Sequence, residues 1–207
     1  GSYIIKGWGY HMPNYPITEL EIKAWDFSRE KHKDQVRKFI NLPYFDAHVQ
    51  KVNGILKQYT KDEILLIASI LHDVLEDCYD NMWIGYAEIK SLFGKEVADI
   101  VLELTSNKDE IDNVFDGSKT NYLIHKMCKM SSGALTIKLC DRLQNISDAF
   151  TASASFRNKY FKETTLIINS VEENVELNTV QQQLIDNIKS KLSNINSIFK
   201  IKKFKDI

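Results

Sequence analysis

Leu71-His72-Asp73-Val74-Leu75-Glu76-Asp77 sets four side chains able to bind metal or activate water inside an otherwise apolar run of helical character. Such groups are costly to bury without a partner. On a helix His72 and Glu76 lie four apart, as do Asp73 and Asp77, so two polar rows would project from one side over one turn. That geometry suits a cation with a water held beside it. Thr60 and Glu63 have capping-box spacing and predict the start of one helix carried through the whole motif.

The flanking sequence extends the helical pattern in both directions. Thr18 and Glu21 repeat the capping-box spacing ahead of Leu20, Ile22, Ala24, Trp25 and Phe27, predicting a first helix to about residue 33. Pro13 and Pro16 make residues 3 to 16 an irregular segment. Gln35 to Tyr44 reads as a loop, basic at Arg37 and Lys38 and containing Pro43, before a second helix starts near Phe45 and carries His48. Ala87 to Phe93, closed by Gly94, is a short helix, and Glu96 to Leu104 is another. Thr105 to Thr120 lacks a helical apolar period and is expected to be a mobile loop. Asn121 to Met130, Ala134 to Ala149, Ser155 to Glu176 and Thr179 to Lys200 follow as helices, the last with a stripe of Val180, Leu184, Ile188, Leu192, Ile195 and Phe199. The expected class is all-α: an irregular segment over 1–18 that begins with a Gly-Ser cloning remnant, one domain over 19–200, and a basic tail over 201–207.

Composition narrows the function classes. The 207 residues are 43% hydrophobic and 27% charged with only eight Gly and three Pro, which fits one globular domain large enough for a buried cleft. A net charge of −1 gives no global attraction to nucleic acid or an anionic membrane, so any anionic substrate needs a local cationic cluster. Cys78, Cys128 and Cys140 form neither a metal-binding pair nor a disulfide framework, and no run is long enough to span a bilayer. These features point to a cytosolic protein. Oligomeric state leaves no mark in the sequence.

His72 and Asp73 need further ligands to hold an ion. His48 on the preceding helix and Asp141, charged within the apolar run Ile137-Lys-Leu-Cys-Asp141-Arg-Leu, are the candidates. Two imidazoles and two carboxylates suit Mn²⁺, Fe²⁺ or Zn²⁺ with positions left for water and substrate. The absence of cysteine from the set argues against a closed structural zinc site. Each residue taken singly is also compatible with an ordinary hydrogen-bonded structural role. From composition alone Arg37 and Lys38 read as ordinary solvated charges, and Lys138 and Arg142 as a salt-bridging or capping pair rather than substrate ligands.

His48, His72-Asp73 and Asp141 resemble the signature of HD-domain metal-dependent phosphohydrolases. The segment from Ala24 through His32, Gln35, Arg37-Lys38 and Pro43-Tyr44 to His48 is similar to the opening of the hydrolase domain in RelA/SpoT-type alarmone enzymes. Phe93 to Ala98, Lys138 to Leu143 and Tyr160 to Thr164 extend the match over roughly residues 20 to 170. The resemblance implies a helical HD-type hydrolase bundle with Mn²⁺ at its centre, removing the 3′-pyrophosphate of (p)ppGpp to give GDP or GTP. It further implies a small stand-alone alarmone hydrolase, the class that includes a metazoan SpoT homologue.

On this resemblance His48, His72, Asp73 and Asp141 hold the ion, and Glu76 and Asp77 position a water and accept its proton. Arg37, Lys38 and Asn145 contact the nucleotide: Arg37 stacks on the base, Lys38 meets phosphate, and Asn145 hydrogen-bonds ribose or phosphate. His32 matches a family position, where a structural hydrogen bond is expected rather than a fifth metal bond. The family commonly reads Arg-Leu-His-Asn-Met-Arg-Thr after the last ligand, whereas this chain has Arg142-Leu143-Gln144-Asn145-Ile146-Ser147-Asp148. That departure leaves open a related hydrolase acting on (p)ppApp, NADPH or another phosphorylated nucleotide. A catalytically silent alarmone sensor is a further alternative, against which the complete ligand set and Glu76-Asp77 argue.

Overall fold

Short polar side chains set the helix starts in this computed structural model, which describes residues 17–205, with side chains described through residue 194. Thr18 accepts from the Glu21 amide and opens α1, Glu19–Lys31. After a loop, one π-helical turn, Phe45–Val49, runs directly into α2, Gln50–Lys57. α3 is Glu63–Leu71 and α4 is Val74–Cys78. α5 (Met82–Phe93) and α6 (Lys95–Leu104) meet at Gly94, whose φ of 94° favours a residue without a side chain. α7 (Lys108–Val114), α8 (Lys119–Lys129), α9 (Ser132–Asp148), α10 (Ala154–Asn174) and α11 (Thr179–Lys205) follow. Asp62, Asn81, Asn107, Ser118, Ser131 and Ser153 each accept a backbone N–H in the turn they open, a cap worth about 1 kcal/mol apiece.

No strand occurs among the described residues, only an isolated bridge between Val36 and Pro43, so the all-α class holds. The irregular segment expected before Ile17 and the side chains of the basic tail lie outside the described residues. No described helix is long and apolar enough to cross a membrane.

Four boundaries differ from the sequence reading. The α3 cap is Asp62, while the Thr60 hydroxyl accepts from the Asp62 amide. α5 starts at Met82 behind Asn81 rather than at Ala87; Trp83 and Ile84 are exposed, which blurs its apolar stripe. Thr105 to Thr120 is not one loop, because Asn107 accepts from the Glu110 amide and starts α7. That helix buries no residue, so it carries no apolar period; its cap and its first-turn Asp109 and Glu110 support it instead. The central motif is not one helix either. α3 stops at Leu71 and α4 begins at Val74, with Asp73 between them at φ −104°, ψ 0°.

The core lies between α3 and α9. Leu66, Ile67, Ala68, Ile70 and Leu71 are fully buried, and α9 contributes Ala134, Leu135, Ile137, Leu139, Cys140 and Ile146 while packing on α2, α3, α6 and α11. Leu184, Ile188 and Leu192 close one side from α11, whereas Ile195 and Phe199 of the expected stripe fall outside the described side chains. Trp25 meets Phe45 edge-on at 5.6 Å and ties α1 to the turn that carries His48. The two central helices are therefore held from every side, and their ionisable residues are fixed with them.

Candidate active site

His48 comes from the π-helical turn, His72 and Asp73 from the α3–α4 break, and Asp141 from the middle of α9. Their four candidate ligand atoms lie within 4.8 Å of one another. His48 Nε2 is 2.9 Å from Asp141 Oδ1 and 3.3 Å from Asp73 Oδ2. His72 Nε2 is 2.9 Å from Asp73 Oδ2 and 3.4 Å from Asp141 Oδ1, and the two Nε2 atoms are 3.2 Å apart. Ligands about 2.0–2.2 Å from a shared ion stand about 3 Å apart, which is this spacing.

Electrostatics require a positive centre here. Burial alone would keep all four groups neutral, but the carboxylates of Asp73 and Asp141 overcome it and raise both imidazoles above their usual range. Against the same burial, His72 and His48 hold Asp73 well below the carboxylate range, and Lys138, at 3.3 Å, joins them in doing so for Asp141. The charge balance thus takes protons or a cation. His72 Nδ1 donates to the Ser69 carbonyl at 2.7 Å, which turns its Nε2 towards the cluster and leaves it the lone pair of the neutral ring. Two carboxylates with inward-facing imidazole nitrogen and no thiolate make a donor set that fits a divalent ion.

The cluster adjoins a cleft of about 350 Å³ lined by Gln35, Arg37, Lys38, Tyr44, Asp77, Lys119, Asn145 and Asp148, with Phe39, Phe156 and Tyr160 at its aromatic side. Asp77 accepts from Gln35 Nε2 at 3.1 Å, and Gln35 Oε1 in turn meets His32 Nδ1 at 2.7 Å. Desolvation, then the Asp73 charge, pushes the Asp77 carboxyl up to about 6. Glu76 takes a different partner, its Oε1 accepting from the Ser106 amide at 2.7 Å. The two carboxylates expected to act together therefore have different settings. His32 stands outside the four-ligand cluster, in the structural role expected of it.

Arg37 donates through Nη2 to Asn145 Oδ1 at 2.7 Å and to Gln144 Oε1 at 3.3 Å, and through Nε to Asp148 Oδ2 at 3.3 Å. Its guanidinium lies 5.8 Å from the Tyr44 ring centre. Lys138 pairs with Asp141, while Arg142 donates to Thr164 and lies over Tyr160, so both are internal contacts. Sequence reasoning passed over Tyr44, Gln35 and Lys119. Tyr44 donates its hydroxyl to Asp73 Oδ2, with burial and that carboxylate holding the phenol protonated. Tyr44 ends the expected loop, and nothing in its spacing signalled a contact to Asp73.

A family model described as HD domain matches residues 24–171. The chain is 30% identical over 179 residues to the guanosine-3′,5′-bis(diphosphate) 3′-pyrophosphohydrolase of Aquifex aeolicus, covering 84% of this chain and 24% of that protein. It is 30% identical over 139 residues to the guanosine-3′,5′-bis(diphosphate) 3′-pyrophosphohydrolase MESH1 of Drosophila melanogaster, covering 66% of this chain and 73% of that one. A solved structure of a metazoan ortholog of SpoT, described as hydrolysing ppGpp and acting in starvation responses, superposes with a TM-score of 0.69 at 26% identity, covering 84% of this chain and 96% of that one. The chain spans about a quarter of the length of the long bacterial relatives it matches.

Proposed function

Because the chain belongs to the HD-domain family, we propose that it is a Mn²⁺-dependent guanosine-3′,5′-bis(diphosphate) 3′-pyrophosphohydrolase, converting (p)ppGpp to GDP or GTP and pyrophosphate in the cytosol. The observation that carries this reading is the convergence of His48, His72, Asp73 and Asp141 beside a cleft lined by Arg37, Lys38 and Lys119. Two relatives of matching size or domain, named for this activity, support it.

In this reading the four clustered residues hold the ion. Mn²⁺ suits their mixed nitrogen and oxygen set, with Fe²⁺ and Zn²⁺ as less favoured occupants. A divalent cation there lowers the pKa of water and offsets charge on phosphoryl oxygens. Asp77, oriented by Gln35, accepts the proton of the attacking water, and Glu76, anchored at one oxygen by Ser106, helps place that water. In-line attack on the ester-linked phosphorus expels the nucleoside 3′-oxygen and releases pyrophosphate. Lys38 and Lys119 attract the phosphates, Arg37 offers a guanidinium face to the base, and the Asn145 amide nitrogen reaches ribose or phosphate.

A related reading, hydrolysis of (p)ppApp or NADPH by the same centre, draws on Asp148, which lines the cleft where the family commonly has threonine. Products separate the two. Mn²⁺-loaded protein incubated with ppGpp should yield GDP and pyrophosphate in equal amounts. No turnover by folded, loaded protein would overturn the proposal; faster turnover of NADPH with orthophosphate release would replace its substrate.

A further inference from the structure

We propose that Gln144 is a positioning residue shared by the metal centre and the substrate arginine: its single carboxamide oxygen fixes the metal-binding tautomer of His48 and braces Arg37 in the cleft. The inference rests on the proposed metal-dependent reading, and it concerns a position where this chain departs from the pattern of the family it resembles.

The proton assignments follow from donor chemistry. Gln144 is buried at 3% exposure, so neither end of its amide can rely on bulk water. Arg37 Nη2 lies 3.3 Å from Gln144 Oε1, and a guanidinium can only donate. The atom facing it must therefore be the oxygen. The same oxygen is 2.5 Å from His48 Nδ1, and an amide oxygen can only accept, so Nδ1 carries the proton. In the neutral ring that an ion requires, Nε2 is then the lone pair, directed at the point it shares with His72, Asp73 and Asp141. An arginine across the cleft thus settles which nitrogen of a buried histidine is available to an ion.

The two histidines are secured by different means. His72 Nδ1 donates to the main-chain carbonyl of Ser69, a partner that no substitution removes. His48 depends on one side chain. A histidine at position 144, the residue the family commonly has there, could donate or accept and would not dictate the tautomer alone. Gln144, with Arg37 on its oxygen, allows only one arrangement.

The shared oxygen also links two functions. Partners that orient a metal-bound imidazole typically change metal affinity or activity about 10–100-fold when removed. Arg37 keeps Asn145 and Asp148 when Gln144 is lost, so its placement should suffer less than that of His48. A carboxylate at 144 retains the acceptor for Nδ1 while gripping Arg37 more strongly through its charge. Metal affinity and substrate affinity should then move in opposite directions.

The test uses the full chain stripped of metal, checked for helicity by circular dichroism and titrated with Mn²⁺ by calorimetry, followed by kcat and KM at saturating Mn²⁺. Gln144→Leu and Gln144→Asn, the first without an acceptor and the second too short to reach, should each bind Mn²⁺ at least about tenfold more weakly. Gln144→Glu should bind it at least as tightly as the native chain while raising KM. A Mn²⁺ affinity within about twofold of native in both Leu and Asn variants would overturn the proposal, as would a Glu variant as weak as either. Should the Leu variant lose helicity, the Asn and Glu pair decides the matter alone. Native protein that binds no Mn²⁺ would sink the metal-dependent reading as well, whereas native binding and turnover with indifferent variants would sink only the role of Gln144.

Discussion

The proposed metal centre and the cleft rim beside it are built on opposite principles. The centre is carried by the π-helical turn, the α3–α4 break and α9, whose flanking apolar residues are almost wholly buried, and its ionisable atoms have several partners each. The rim is the loop between α1 and the π-helical turn, where Val36, Phe39 and Leu42 are half exposed and Phe39 and Asn41 adopt positive φ of 70° and 57°. Chemistry at a cation demands ligands held within fractions of an ångström, while the proposed nucleotide substrate must enter and leave. Packing supplies the first and a lightly held loop the second.

Removing a ligand tests the rigid half most severely. Asp141→Ala should abolish Mn²⁺ binding by calorimetry and lower kcat/KM by at least about 10³-fold, and chelation of the native protein should do the same reversibly. His48 and His72 would also lose one of the two carboxylates that raise their pKa values. Their remaining share of stabilisation, supplied by Asp73, is present below the ordinary histidine pKa and is lost as pH rises through the elevated folded values. Thermal melts of the native metal-free protein should accordingly fall as pH rises through that window. Retention of Mn²⁺ by the variant would break the comparison at its root.

Asp77 stands where the two halves meet. Asp77→Asn should lower kcat by about 10²–10⁴-fold with Mn²⁺ affinity little changed, since its place is beside the ligands rather than among them. A base must be ionised to accept a proton, so the native rate should decline as pH falls through about 6, or lower once a bound cation favours the carboxylate. The Asn variant should lack that acid limb in its pH–rate profile.

The rigid half was also the more legible in sequence. His48, His72, Asp73 and Asp141 stood out because ionisable residues in apolar helical runs need partners and because together they resemble the HD-domain signature. The helical class followed from periodicity and caps. What escaped notice depended on contacts that periodicity does not encode. The break at Asp73 redirects Glu76 to Ser106 and Asp77 to Gln35, although even spacing suggested parallel rows. α7 went unseen because it has no fully buried residue, and Gln35, Tyr44 and Gln144 are polar side chains with partners far along the chain. Gln144 was visible only as a departure from a family pattern.

Arg37 tests how the rim is fastened to the centre. Arg37→Ala removes three donor contacts to α9, and charge-assisted bonds of this kind are worth about 1.5–3 kcal/mol where they are made to substrate. Steady-state kinetics should show KM raised by about tenfold or more and kcat changed less, the signature of lost binding common to ground and transition states. A fall confined to kcat would mean that the rim acts on the chemistry itself.

The smallest effect belongs to Phe39. Left-handed backbone costs a side-chain-bearing residue about 1–2 kcal/mol, and Phe39 adopts it with its ring half exposed, 4.7 Å from that of Phe156. Phe39→Gly removes that strain but forfeits the ring contact, about 0.5–1.5 kcal/mol, and adds freedom to the unfolded chain. The contributions nearly cancel, so the melting temperature should move by no more than about 2–4 °C, the shift expected for 1 kcal/mol in a domain of this size. KM should rise if the aromatic side of the cleft meets the base. A loss above about 2 kcal/mol would exceed what strain relief and one exposed ring contact can account for. The loop would then be as firmly specified as the metal centre, and its looseness could no longer explain how a nucleotide enters and leaves.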